Sequence, residues 1–401
     1  MKLRAPFVPL TVAVLALTAC GGGGSSSAPS MLNAGQAAGT ATMTSTEEPA
    51  NSVNRTTTLL DTDTGVAVMD ADDSNPILPV LTQNRTIGST IVKGEQNPYG
   101  LDVAKSDSGP IRAGDLVICN FNDSANVQGT GSTILALHPV VGSTPTFIAQ
   151  DPSLVGCNAL ALSPNDVSWA AAYSANDNPL VSAAGRVVTT LLFGPWHGPF
   201  GETFSPHKGP FGKAAFYVSN AGDGSIIRVN ILSAGGFSYD VIATGFAING
   251  GAPGSILGPS GLQYDAKNDN LYVVDGADNS FTLFKHVSTI PPGGLFSKNG
   301  TFGGPFHNRA RRIFSGSPLD GPISSALLPN GHVVLGNTLN PPGFNIMVEI
   351  SPSRGKVVAT KNVDTGAAGA LFGIVATGSS DDDVQLFYND DNTNTLNVLR
   401  Q

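Results

Sequence analysis

The chain is short of charge, of cysteine and of helix-building stretches, and each shortage removes a class of protein. Across 401 residues only 13% are Asp, Glu, Lys or Arg, against about a quarter in an ordinary globular chain. Lys and Arg number 21 against 30 Asp and Glu, for a formal charge of −9, and no basic tract is dense enough to track a phosphate backbone. That argues against nucleic acid as a partner. No amphipathic run at 3.6-residue spacing outlasts the next Gly or Pro, so a helical bundle is excluded. Ready-made catalytic signatures are missing as well: there is no G-x-S-x-G, Walker loop, H-E-x-x-H or C-x-x-C. The six histidines, His138, His197, His207, His286, His307 and His332, show no i, i+4 or H-x-H spacing. What is abundant is Gly, 48, and Pro, 28, which cut the chain into short pieces suited to strands and turns.

The N-terminus reads as an address. Lys2 and Arg4 precede an apolar run, Ala5 to Ala19, of signal-peptide length and too short to span a bilayer. The run ends Leu17-Thr18-Ala19-Cys20-Gly21, which resembles the bacterial lipobox. The resemblance implies removal of residues 1–19 and a lipidated Cys20; the alternative is an ordinary secretory signal with a stray Cys. Each buried methylene contributes about 0.8 kcal/mol, so several acyl chains anchor far more firmly than one. The expected location is the bacterial cell envelope, at the outer membrane, facing the periplasm or the surface. From residue 20 to 85 the composition is Gly, Ser, Ala, Thr and Asn with few large apolar groups, expected to be a flexible tether. Asp61, Asp63, Asp70, Asp72 and Asp73 lack the twelve-residue calcium-loop pattern and read as solvated linker.

From residue 86 to 401 the sequence repeats. In "GPSGLQYDAKNDNLYVVDGADNSFTLFK" a glycine-marked strand Gly261–Asp265 leads through a polar turn to a second strand, Leu271–Asp275, and a third from Phe281. The cadence recurs in units beginning near residues 98, 158, 201, 260, 321 and 369. A small sheet with two apolar faces cannot bury both alone, so such units stack around an axis. The expected fold is therefore all-β, a six-bladed β-propeller, with a sandwich or a β-helix as the alternative. Gly100 and Gly261 would sit where inner strands crowd at the centre. Asn120, Asn220, Asp275, Asn337 and Asn389 would serve turns by bonding their own backbone two residues on. The pattern resembles the NHL-repeat family and six-bladed relatives such as the gluconolactonases.

The sixth unit ends after its third strand, Thr395–Leu399, and Thr86–Lys93 has strand character. The N-terminal strand is expected to complete the last blade and remove an open edge. In such a ring Cys119, near the end of one second strand, and Cys157, just before the next inner strand, fall on one face of neighbouring blades. A disulfide there is plausible in an oxidising compartment, the alternative being two buried thiols.

The gluconolactonase resemblance implies a divalent cation, calcium or magnesium, held at a channel mouth by oxygen ligands from separate blades. The matching positions are Asn97, Asn158 and Glu202, with Ser260 beside them, and only one is charged. Two insertions, Phe193–Lys213 and His286–Arg312, share a Gly-Pro-aromatic phrase. Pro and Gly are expected to keep these as loops that carry Trp196, His197, Phe200, Phe211, Phe306, His307, Arg309 and Arg311 at the rim, for a glycan, peptide or protein partner. The alternative is that the aromatics plug the channel or staple the loops. The first expectation is thus a lipid-anchored binding or scaffolding module. A metal-dependent lactonase or esterase is the second.

Overall fold

A computed structural model describes residues 75–207, 214–233 and 235–401. Signal peptide, Cys20, most of the tether and Phe211 lie outside the described residues. Among the described residues there is no α-helix, only three single-turn 3-10 segments, and the strands form six sheets, antiparallel but for one added pairing. Their inner strands are Gln96–Val103, Cys157–Leu162, Pro199–Ser205, Pro259–Asp265, Pro322–Leu327 and Leu371–Thr377. Each packs beside the next, and the sixth returns to the first, so the fold is a six-bladed β-propeller.

The middle strands explain why the blades must stack. Leu116–Asn122 (LVICNFN), Ala214–Asn220 (AAFYVSN) and Asn270–Asp275 (NLYVVD) are apolar on both faces rather than alternating, as strands buried on both sides are. Phe216 and Val218 face blade 2 while Tyr217, between them, faces blade 4. Six such clusters fill the six gaps between blades.

Every inner strand has a register irregularity just after its first residues, as at Pro98/Gly100, Pro199/Glu202 and Pro259/Leu262. The glycine in this bulge is a matter of space. A Cβ on Gly201 would lie 1.7 Å from the Ser260 carbonyl of blade 4, and one on Gly373 2.4 Å from the Tyr99 carbonyl of blade 1. Adjacent blades are also bonded here. Ser219 Oγ accepts the Gly201 N–H and donates to Ser260 O, both at 2.8 Å.

The asparagines ending the second strands act differently from expectation. None has positive φ. Asn120 donates to Thr90 O, Asn220 to Pro195 O and Asn337 to Pro318 O, each clamping the segment that leads into its own blade. Asn389 reaches the next blade at Gly100 O, and Asp275 alone accepts from the N–H two residues on. Carbonyls with no ladder partner take these side-chain donors because the ring has buried them.

Closure comes from Gln83–Ser89, the outer strand of blade 6, paired antiparallel with Thr395–Arg400 so that Thr86 faces Asn397. The strand starts and ends earlier than the sequence suggested, because Lys93 (φ 53°) and Gly94 (φ 81°) turn the chain into blade 1. The folded part also begins before residue 86. Ile77, Leu78 and Leu81 are buried between blades 5 and 6, and the Glu349 carboxylate accepts the N–H groups of Ile77 and Leu78 at 2.8–3.0 Å. The short apolar run Ile77–Leu81 has enough surface to dock, unlike the polar stretch before it. Cys119 and Cys157 are joined by a disulfide with Cα atoms 6.0 Å apart, inside the cluster between blades 1 and 2.

Candidate functional site

At the mouth where the inner strands begin, the bulge residues Tyr99, Phe200, Ile323 and Phe372 meet in one cluster. Tyr99 stacks on Phe372 with centroids 3.7 Å apart and on Phe121 at 4.3 Å, and Phe200, Ile256 and Ile323 complete an apolar plug. Beside the plug the inner strands of all six blades enclose a cavity of about 70 Å³, space for a few waters.

Two of the three residues proposed as metal ligands line this cavity, Asn158 and Glu202. Asn97 does not. It holds a left-handed turn (φ 61°), donates its N–H to Asn394 and its amide to Gln128. Glu202 is buried, with Asn178 donating to both of its oxygens at 3.3 Å. Burial pushes its carboxyl well above the ordinary value against the opposing pull of Asn178. Asn158 Oδ1 and the hydroxyls of Ser324 and Ser325 are buried there without a protein partner. This donor set does not fit calcium or magnesium, which require several ionised or carbonyl oxygens. Among the described residues no group of three or more His, Cys, Asp or Glu is placed to hold a metal.

The Gly-Pro-aromatic residues are not brought to one place. Trp196 is 3% exposed, donates its indole N–H to Leu191 O at 2.6 Å and meets Tyr239 edge-on in the gap between blades 2 and 3. Phe200 is part of the axial plug, and Phe306 is half-buried against the core between blades 3 and 4. Around Phe306, His307 is exposed and donates to Gly304 O, Arg309 is half-buried, and Arg311 reaches Pro352 O at 2.8 Å. His197 is exposed, 3.9 Å from Asp223.

The second insertion also contains strands. Leu295–Lys298 and Thr301–Gly303 form a hairpin whose first strand pairs in parallel with the outer strand of blade 3, Phe237–Thr244. Asn299 and Gly300 (φ 50° and 75°) supply the two left-handed residues of a tight hairpin turn. The Asn-Gly pair was the available signal, obscured by the Pro and Gly around it.

What does project is the first insertion's start. Phe193 is 98% exposed, Leu192 61% and Val188, on the outer strand of blade 2, 62%. The loop beneath them is held on both sides. Leu191 N–H donates to Asp177, while Pro195 O and Trp196 O accept from Asn220 and Asn176. Sequence reading passed over Phe193 because it weighed the Gly-Pro-aromatic phrase that follows.

Fold and site together define a plugged β-propeller with an apolar knob on its rim. No family model matches the chain, and no curated protein matches it. Solved structures do. The nidogen/laminin complex matches at 15% identity over 71% of this chain and 86% of that one, with a TM-score of 0.48. A catalytically inactive virginiamycin B lyase from Staphylococcus aureus with quinupristin matches at 15% over 80% and 99%, with a TM-score of 0.48. A provisionally assigned gluconolactonase matches at 11% over 82% and 96%, with a TM-score of 0.48. Likeness at this level transfers no activity or partner to the present chain.

Proposed function

We propose that the chain is an envelope-bound binding head, anchored through a lipidated Cys20, that offers the rim over blades 2 and 3 to a protein or peptide. The observation that carries this reading is Phe193, almost wholly exposed on a loop hydrogen-bonded on both flanks. A large aromatic held out by a rigid scaffold is poised to enter an apolar cleft at little entropic cost. Leu192 and Val188 extend the apolar surface and add no sugar-binding hydrogen bonds, which favours a protein or peptide over a glycan.

The hydrolase alternative draws support from Glu202 and Asn158 facing one cavity, but the plug and the small volume leave no place for an ester. A photo-reactive residue at position 193, in cells making the full chain, is expected to cross-link one major partner. Phe193→Ser should abolish its co-purification while changing stability by less than about 0.5 kcal/mol. Cys20→Ser should release the chain from membranes and end its labelling by palmitate. No specific adduct at 193 would overturn the binding-head reading, and stabilisation of the head by calcium or magnesium would revive the hydrolase.

A further inference from the structure

On the opposite face, where the inner strands end, blades 3 and 4 border an open basin of about 580 Å³. Lys267, Lys285, His207 and His286 line it, together with Asp269. Among the described residues, neither lysine ammonium nor the His286 ring has a hydrogen-bond or ion-pair partner. The nearby acids are already engaged. Asp269 is buried and accepts from Tyr264 at 2.9 Å and from Ser288 Oγ at 2.7 Å. Asp265 accepts from the Lys267 N–H and the Asn268 amide. In a chain of formal charge −9 this is a concavity with two lysine ammonium groups outside any ion pair, facing the single lining carboxylate of Asp269.

His207 is fixed by a relay. Burial, with Asp269 beside it, raises the Tyr264 phenol and keeps it protonated. Its one proton goes to Asp269, so the bond between Tyr264 and His207 Nδ1 requires the histidine to donate. That sets the tautomer and leaves Nε2 as a free acceptor at the exposed edge of the ring.

We propose that this basin binds a small phosphate ester, with Lys267 and Lys285 neutralising the dianion, His286 hydrogen-bonding its oxygens and His207 Nε2 accepting from a hydroxyl of the attached group. Two ammonium groups match a doubly charged oxyanion, and lysine serves phosphate as a point charge. The volume exceeds that of a bare ion, and the Asn268 and Asn270 side chains on its wall suit the hydroxyls of an attached polyol. The site is separate from the blade 2–3 rim and does not depend on the partner proposed there.

The test uses the full chain carrying Cys20→Ser, which removes the lipid and leaves the basin intact. Calorimetric titration with glucose 6-phosphate is expected to show binding that weakens steeply with salt. Inorganic phosphate should bind more weakly and glucose not at all. Lys267→Ala with Lys285→Ala should reduce affinity by about tenfold or more, Tyr264→Phe by less, and Lys356→Ala on blade 5 by nothing. Retention on vesicles containing phosphatidylglycerol, without binding of the soluble ester, would assign the phosphate to a lipid headgroup. Equal binding of glucose, an unchanged affinity in the double variant, or no binding of either phosphate source would overturn the proposal.

Discussion

Glu202 stands where the other blades place Leu101, Leu160, Leu262, Ser325 and Ile374, each aligned by the same bulge. A carboxyl in an apolar position is pushed toward its neutral form by desolvation, and Asp275 is similarly pushed up, to about 7, by burial and by Asp278. The folded state then binds more protons than the unfolded chain between the ordinary carboxylate range and these raised values. Stability from such groups is complete below that range and is lost as pH rises through the folded pKa. The melting temperature should therefore fall between pH 5 and pH 8. Glu202→Gln keeps a partner for Asn178 and removes the titration, so it should flatten this slope. A slope unchanged in the variant would mean that Glu202 is ionised throughout. The glycines at the bulges were legible in the sequence because crowding at an axis has one cheap solution. The isolation of Glu202 was not, since its surroundings come from Asn178, in the neighbouring blade.

At the scale of elements, the hairpin Leu295–Gly303 shows how a local rule is hidden by composition. Pro291, Pro292 and five glycines in Gly293–Gly304 suggested irregular chain, yet Asn299-Gly300 is enough to turn two short strands, and the free edge of blade 3 captures the first. Gly300→Val, at φ 75°, should cost about 1–2 kcal/mol and act locally. Hydrogen exchange should quicken at Leu295–Gly303 while the amides of the inner strands keep their protection. Faster exchange in every blade would show that the hairpin supports the whole ring. The clamping asparagines carry the same lesson. Their positions were readable, but their use depends on carbonyls such as Pro195 O and Pro318 O that only the folded ring brings within reach.

For the whole molecule, stability rests on a closed circuit of six apolar gaps, so damage at one gap is felt by both neighbours. The outer strand of blade 6 comes from the N-terminal side, with Ile77, Leu78 and Leu81 wedged between blades 5 and 6. A chain beginning at residue 90 should lose this strand and wedge together, expose the edge of Thr395–Arg400, and aggregate or melt far below one beginning at residue 75. Restoring residues 75–89 as a separate peptide should recover part of the loss. If the shorter chain melts like the longer one, closure by the N-terminal strand is not what holds the ring.

The sequence alone determined the strand-and-turn cadence, the count of six units and the need for glycine near the axis. These depend on backbone sterics and on apolar faces too small to be buried singly. Only the tertiary structure decided what fills the axis, that Trp196 is buried and Phe193 is not, and that Lys267, Lys285 and two histidines share a basin. Such outcomes depend on which side chains from distant parts of the chain meet across a gap. A repeat specifies its own strands, but its neighbours are set by how the ring closes.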